Sequence, residues 1–371
     1  MRWRVMQFSL RGFVRSSGFS LFIVCAIAAL SGGTALAQKR ANAMGVFAGA
    51  ITIEADTGAV LYEENADVAN PPASMAKLMT FAVVHDKLRD GTLSVNTPVR
   101  ITAADARMGG TQVYLDPRET FTVEELIYAL MIQSANDAAH ALARAAAGSV
   151  PAFVELMNAK ARQLGMTRTT FRTPHGLPPP SRRVEEGDVS TPRDFATLSR
   201  YLIEQTDVLK YTSVRERPFG LNRAQGPLLM RNHNNLLTKV PGVDGLKTGY
   251  TAAAGYCLSA TAERNGRRLI VVVMGAFGPN REVDKGKARD LRVIDLLERG
   301  FAMPRGALPR VSTTQPAQSA PAKAASLGFS VTLPLGEDIP TVKTDAPLPA
   351  NDAASTSDSP TVIFRLPPPK S

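Results

Sequence analysis

The chain reads as an α+β domain: an antiparallel sheet completed by segments from both ends of the body, with a helical cluster packed on one side. Three observations predict this. Strand-like stretches stand at both ends of the body, around residues 47–62 and 257–275. Helical patterns fill the interval from Ser74 to Glu204. The turn dipeptide Asn265-Gly266 joins two apolar stretches, Cys257 to Ala262 and Leu269 to Gly275, as a hairpin. Residues 38–305 are read as this one domain, 1–37 as a secretory leader and 306–371 as a flexible, disordered C-terminal tail rich in Pro, Ala, Ser and Thr.

In chain order, basic residues up to Arg15 precede an apolar run from Phe19 to Leu30, then small residues ending in Ala35-Leu36-Ala37. That three-part pattern predicts export with cleavage after Ala37. Only Cys257 then remains, so packing rather than an internal disulfide stabilises the fold. Phe47 to Tyr62 alternates weakly around Asp56-Thr57-Gly58 and predicts a hairpin. Pro71-Pro72 can precede a helix but not lie inside one, so a helix is expected from about Ser74. Thr122-Val123-Glu124-Glu125 is a capping box opening a helix that stops near Gln133-Ser134-Ala135-Asn136. Helices follow from Asp137 to Ala147, stopped by Gly148, and from Pro151 towards Leu164, stopped by Gly165. Thr173 to Pro180 is proline-rich loop, Thr191 opens a helix to about Glu204, and Val283 to Arg299 is a last amphipathic helix. The tail shows no amphipathic segment that could lie on a membrane, so no C-terminal membrane anchor is expected.

The chain has 371 residues and a formal charge of +10, of which Arg2, Arg4, Arg11 and Arg15 supply four. No Lys/Arg run reads as a nucleic-acid patch, so no nucleic acid is expected as partner. The four histidines lack metal-ligand spacing, and neither a metal nor another cofactor is expected.

Three stretches carry chemistry. Ser74 and Lys77 lie one helical turn apart, so a lysine amine can take the proton of a serine nucleophile if burial lowers its pKa. Ser134 and Asn136 flank a joint between two helices, where a hydroxyl can relay a proton and an amide can hold a carbonyl. Lys247-Thr248-Gly249 offers a cation, a hydroxyl for an anionic oxygen, and a glycine that lets backbone pass close to a ligand. Each spacing is commonplace alone. In this order the three resemble the signature of penicillin-binding proteins and serine β-lactamases. The wording around them, with His175-Gly176-Leu177 and Val243 to Thr251, is similar to low-molecular-mass D-alanyl-D-alanine carboxypeptidases.

The resemblance implies a β-lactamase/penicillin-binding-protein-like fold and a serine peptidase acting on the peptidoglycan stem peptide, with β-lactam antibiotics as covalent inhibitors. Ser74, Lys77 and Ser134 would be catalytic. Asn136, Lys247, Thr248, Gly249, Tyr250 and His233 would bind substrate, with the N–H groups of Ser74 and Tyr250 as oxyanion hole. Relatives often carry an arginine where Asn232-His233-Asn234 has histidine, so Thr248 and Lys247 are expected to carry more of the carboxylate recognition. His175 is read as structural. A D,D-endopeptidase shares all three motifs. A β-lactamase needs a deacylating glutamate that Glu185-Glu186-Gly187-Asp188 does not match. A catalytically silent scaffold is disfavoured by the complete motif set.

Overall fold

The structure, a computed structural model, describes residues 44–305 and the short strand Arg310–Val311. The leader and the rest of the tail, including Phe329 to Leu333 and Val362 to Phe364, lie outside the described residues.

The body opens on β1 (Gly49–Glu54) and β2 (Val60–Glu64), the expected hairpin. A 3-10 turn, Ala73–Ala76, leads into α1 (Lys77–Arg89), so the helix expected from Ser74 begins as the tighter form. Strand β3 (Pro98–Arg100), the short helix α2 (Ala103–Ala106) and β4 (Thr120–Thr122) precede α3 (Val123–Tyr128), which continues as a π-helical turn, Ala129–Gln133. Thr122 Oγ1 accepts from Glu125 N at 3.2 Å, the threonine half of the expected capping box. Helices α4 (Asn136–Ala147), α5 (Val150–Gln163), α6 (Pro192–Gln205) and α7 (Val208–Thr212) follow. A small hairpin of β5 (Glu216–Phe219) and β6 (Leu228–Arg231) and the turn of helix α8 (Leu236–Lys239) lead to β7 (Val243–Thr251), β8 (Gly255–Arg264) and β9 (Arg267–Ala276). Helix α9 (Lys287–Ala302) and β10 (Arg310–Val311) complete the described chain.

The main sheet runs β10-β2-β1-β9-β8-β7. All its pairings are antiparallel except β10 on β2, which is parallel and falls in a stretch whose composition reads as tail. Asn265 (φ 51°) and Gly266 (φ 68°) both turn left-handed between β8 and β9, as the Asn-Gly signal requires. Strand β9 is buried on both faces, which is why Leu269 to Met274 is one apolar run. Leu269, Val271 and Val273 pack with Val293, Leu296 and Leu297 of α9. Ile270, Val272 and Met274 pack instead with Phe195 and Ala196 of α6 in the larger helical core. The sheet is thus a layer between α9 and the helical cluster, the α+β arrangement expected, with one helix more on its far face. Strand β7, which carries Lys247-Thr248-Gly249, is the sheet's outer strand beside the helical cluster.

Candidate active site

The three motifs meet in one cleft. Ser74 sits on the 3-10 turn, behind Pro72 and before α1, so Lys77 follows one turn later and its Nζ lies 3.0 Å from Ser74 Oγ. Two glycines let other segments close on this turn. A Cβ on Gly249 would lie 2.6 Å from Pro72 O and 3.1 Å from Ser74 N. Gly176 has φ +81°, and a Cβ there would lie 1.9 Å from Ala73 O. Edge strand β7 and the loop after Thr173 are thereby laid against the serine from two sides.

Lys77 is completely buried. Its Nζ reaches Asn136 Oδ1 at 2.7 Å and His175 O at 2.8 Å as well as Ser74. Burial, and then the positive charge of Lys247, hold its pKa well below the ordinary lysine value. Asp188 and Asp137 act the other way. Lys247 is itself 2% exposed, donates to Thr248 O at 3.1 Å, and is pushed down to about 7 by burial and by Arg289.

Ser134 closes the π-helical turn in a left-handed conformation (φ 62°), which bends the chain so that Ser134 and Asn136 both reach the site. The Asn136 amide is held at both ends. Its Oδ1 accepts from Lys77, and its Nδ2 donates to Gly109 O at 2.7 Å. Sequence reading assigned Asn136 to the substrate amide; here only its second Nδ2 hydrogen remains for a substrate carbonyl.

The cleft has a volume of ≈ 240 Å³, and its walls include Ser74, Ser134, His233, Thr248, Gly249 and Tyr250. Among the described residues that line it, Lys285 and Arg289 are cations and none is acidic. His233 is displayed by its neighbours. Asn232 Nδ2 donates to Thr212 O and Val214 O, both at 3.0 Å, and Asn234 Nδ2 donates to Gly245 O at 3.0 Å. Desolvation, with Lys247, Lys77 and Arg289, lowers the His233 pKa, so its ring is neutral although the residue keeps an exposed edge. Tyr250 stacks on Tyr256 with centroids 4.2 Å apart.

His175 contributes its backbone. Its carbonyl accepts from Lys77, while its Nδ1 accepts from Leu177 N at 3.1 Å. Burial and Lys77 push the imidazole down to about 3, so it is neutral.

Arg289 is the residue sequence reading missed. It lies in the first turn of α9, 4% exposed, and its Nε and Nη2 donate to Asp290 Oδ1 at 2.9 and 2.6 Å. Only its place in an amphipathic helix was legible, and that predicts a solvated arginine. Among the described residues no cluster of His, Cys, Asp and Glu could hold a metal ion, and no helix is long and apolar enough to cross a membrane.

Comparison with known proteins shows the family of the chain. DacF of Bacillus subtilis, a D-alanyl-D-alanine carboxypeptidase, is 38% identical over 253 residues, covering 68% of this chain and 61% of that protein. DacC of Escherichia coli, of the same name, is 38% identical over 276 residues, covering 72% and 64%. The chain thus spans about six-tenths of the length of these curated relatives. Among solved structures, a D-alanyl-D-alanine carboxypeptidase from Mycobacterium tuberculosis H37Rv is 31% identical with a TM-score of 0.63, covering 71% of this chain and 94% of that one. Penicillin-binding protein D2 from Listeria monocytogenes, in its ampicillin-bound form, is 33% identical with a TM-score of 0.59, covering 69% and 97%. The sequence model of the D-alanyl-D-alanine carboxypeptidase family, peptidase S11, matches residues 37–278, and the chain belongs to that family.

Proposed function

We propose that this chain is a serine D-alanyl-D-alanine carboxypeptidase that removes the terminal D-alanine of peptidoglycan stem peptides, and that β-lactams acylate the same serine. The observation that carries this reading is the surroundings of Lys77. Two of its three contacts, Asn136 Oδ1 and His175 O, are pure acceptors. A neutral amine has two N–H bonds to give them, and its lone pair is then left for the Ser74 hydroxyl, 3.0 Å away. A pKa depressed by burial supplies that neutral form. The geometry is that of a general base beside a nucleophile.

Ser74 Oγ attacks the carbonyl carbon between the two D-alanines, and its proton passes to Lys77. The oxyanion accepts from the N–H groups of Ser74 and Tyr250, a contribution of about 2.7–4 kcal/mol per donor. As the C–N bond breaks, the Ser134 hydroxyl relays a proton to the leaving nitrogen. Water then hydrolyses the ester and restores Ser74. Thr248 and Arg289 meet the terminal carboxylate, helped by Lys285, while buried Lys247 acts through its field on Lys77. Neutral His233 offers a hydrogen bond rather than a charge, so Arg289 takes the part that resemblance assigned to an arginine in the Asn-x-Asn stretch. Gly249 lets edge strand β7 lie against the Ser74 turn, so a substrate backbone pairing along β7 is brought to the serine. A substrate in the wall places the enzyme outside the inner membrane, in line with the export expected from residues 1–37.

The test is D-alanine release from a pentapeptide, together with labelling by a fluorescent penicillin. The parent protein should do both, and a folded Ser74→Ala variant neither. A parent that is not labelled and releases no D-alanine sinks the reading. Loss of dimeric stems from digested wall, without D-alanine release, points to endopeptidase action instead.

A further inference from the structure

Three residues outside the motifs, Asp105, His140 and Arg144, form a second polar group behind Asn136, with Asp105 buried and the other two partly buried. Helix α4 begins at Asn136, and Asn136, His140 and Arg144 follow at intervals of four along one stripe. Each reaches the segment from Arg100 to Thr111. Arg144 Nη2 donates to Arg100 O at 2.6 Å and to Asp105 Oδ2 at 2.9 Å. His140 Nδ1 lies 2.7 Å from Asp105 Oδ1. Asn136 Nδ2 donates to Gly109 O at 2.7 Å, and its backbone N–H to Thr111 O at 2.8 Å.

Asp105 is the hub. It is 0% exposed, and its Oδ2 also accepts from Thr102 N at 2.7 Å and Thr102 Oγ1 at 2.8 Å. Its own carbonyl accepts from Met108 N at 3.2 Å, at the start of the stretch that leads to Gly109. Burial alone would raise the carboxyl's pKa, but the donors from His140, Arg144 and Thr102 outweigh it and hold the group well below the ordinary carboxylate range. A buried carboxylate of this kind keeps its place only while its partners keep theirs.

The stretch it anchors touches the catalytic amide closely. Gly110 is left-handed (φ +72°), and a Cβ there would lie 2.7 Å from Asn136 Nδ2. The contact with Gly109 O decides which end of the amide faces Lys77. With Nδ2 held by that carbonyl, Oδ1 accepts from the amine. A reversed amide would point an N–H at the lysine lone pair and compete with the Ser74 hydroxyl for it.

We propose that the His140–Asp105 pair is a positioning device: it holds the stretch 106–110 against Asn136, and through the Asn136 amide it keeps the lone pair of Lys77 on Ser74. The proposal rests on the reading of Lys77 as the base. His140 and Asp105 touch neither nucleophile nor base, and neither is a catalytic residue.

The experiment compares the parent protein with His140→Leu and His140→Asn. The readouts are the rate constant for acylation by a fluorescent penicillin, kcat and KM for D-alanine release, and thermal melting. His140→Leu should lower acylation and kcat about tenfold with KM nearly unchanged, because orientation of the base rather than binding is lost. His140→Asn, whose Nδ2 can stand where the imidazole Nδ1 stands, should recover most of that loss. A folded His140→Leu protein that acylates at the parental rate overturns the proposal, as does a loss in KM alone. Should His140→Leu fail to fold, Arg144→Gln removes the guanidinium on Asp105 from a partly exposed position, and an unchanged kcat there overturns it equally. A parent protein that is not acylated overturns the base reading and this proposal together, whereas an active parent with an equally active variant overturns this proposal alone.

Discussion

Lys77 is sealed from solvent, so each of its contacts has a consequence for the proton it is proposed to accept. Its base form is favoured first by desolvation and next by Lys247. Because the amine must be deprotonated to act, acylation should rise with pH along a limb set by Lys77, well below the ordinary lysine pKa of ~10.4. Lys247→Gln takes away a positive neighbour, which raises the Lys77 pKa and moves that limb to higher pH. At neutral pH the variant should therefore acylate more slowly and recover as the buffer is made alkaline. A pH–rate profile of acylation decides it, and a limb that stays put or moves down would show that Lys247 does not act through its field. The grouping of Ser74, Lys77, Ser134 and the 247–249 stretch was legible because short motifs keep their polar groups within one turn or one joint. Arg289 was not, because it enters from a helix with no motif around it and reaches the cleft only once α9 has packed on the sheet.

At the scale of elements, the site depends on close approaches that only glycine allows. The loop 173–176 is fixed by Asp188, whose Oδ2 accepts from Thr173 Oγ1 at 2.7 Å, and by Thr80 Oγ1, which donates to Pro174 O at 2.6 Å. Gly176 then packs on the backbone of Ala73, and the carbonyl before it reaches Lys77. Gly176→Ala combines an unfavourable φ with a clash against main chain that cannot swing away. It should cost about 1–3 kcal/mol of stability, and it should slow acylation as well, by displacing the His175 carbonyl. Thermal melting and penicillin labelling of one preparation would show both effects, and a variant with parental values in each contradicts this account. The long helices and the β8–β9 hairpin could be read in advance, since caps, glycine stops and Asn265-Gly266 are local signals. The short strands β3 to β6 could not, because three or four residues give too little alternation to separate from loop. The tail's composition was equally silent about β10: Arg310–Val311 pairs with β2 only because β1–β2 offers an open edge there.

For the whole molecule, the sheet separates two tasks. The cleft and its supports lie with the helical cluster, while α9 covers the opposite face with Val293, Leu296 and Leu297. Arg289, at the start of that helix, is the link between them. Truncation of the fully buried Leu297 to alanine should cost about 2–5 kcal/mol and lower the melting temperature. Acylation well below the melting temperature should stay near the parental rate, since the cavity opens two turns along the helix from Arg289. A large loss of acylation in a folded Leu297→Ala protein would mean that the far layer governs the site.

The pairing of β1 with β9 has a further consequence, for how the molecule is made. Ile53 has its partner at Ile270, so the earliest strand of the body waits for one of the last. Until then each has only its hairpin partner, β2 or β8, and leaves its other edge open and apolar, and contacts so distant in sequence form slowly. A chain still being synthesised has every helix of the cluster available before the sheet can close. Holding the nascent protein apart from its copies during that wait is therefore a requirement of its topology, and dilute refolding should yield more native protein than concentrated refolding.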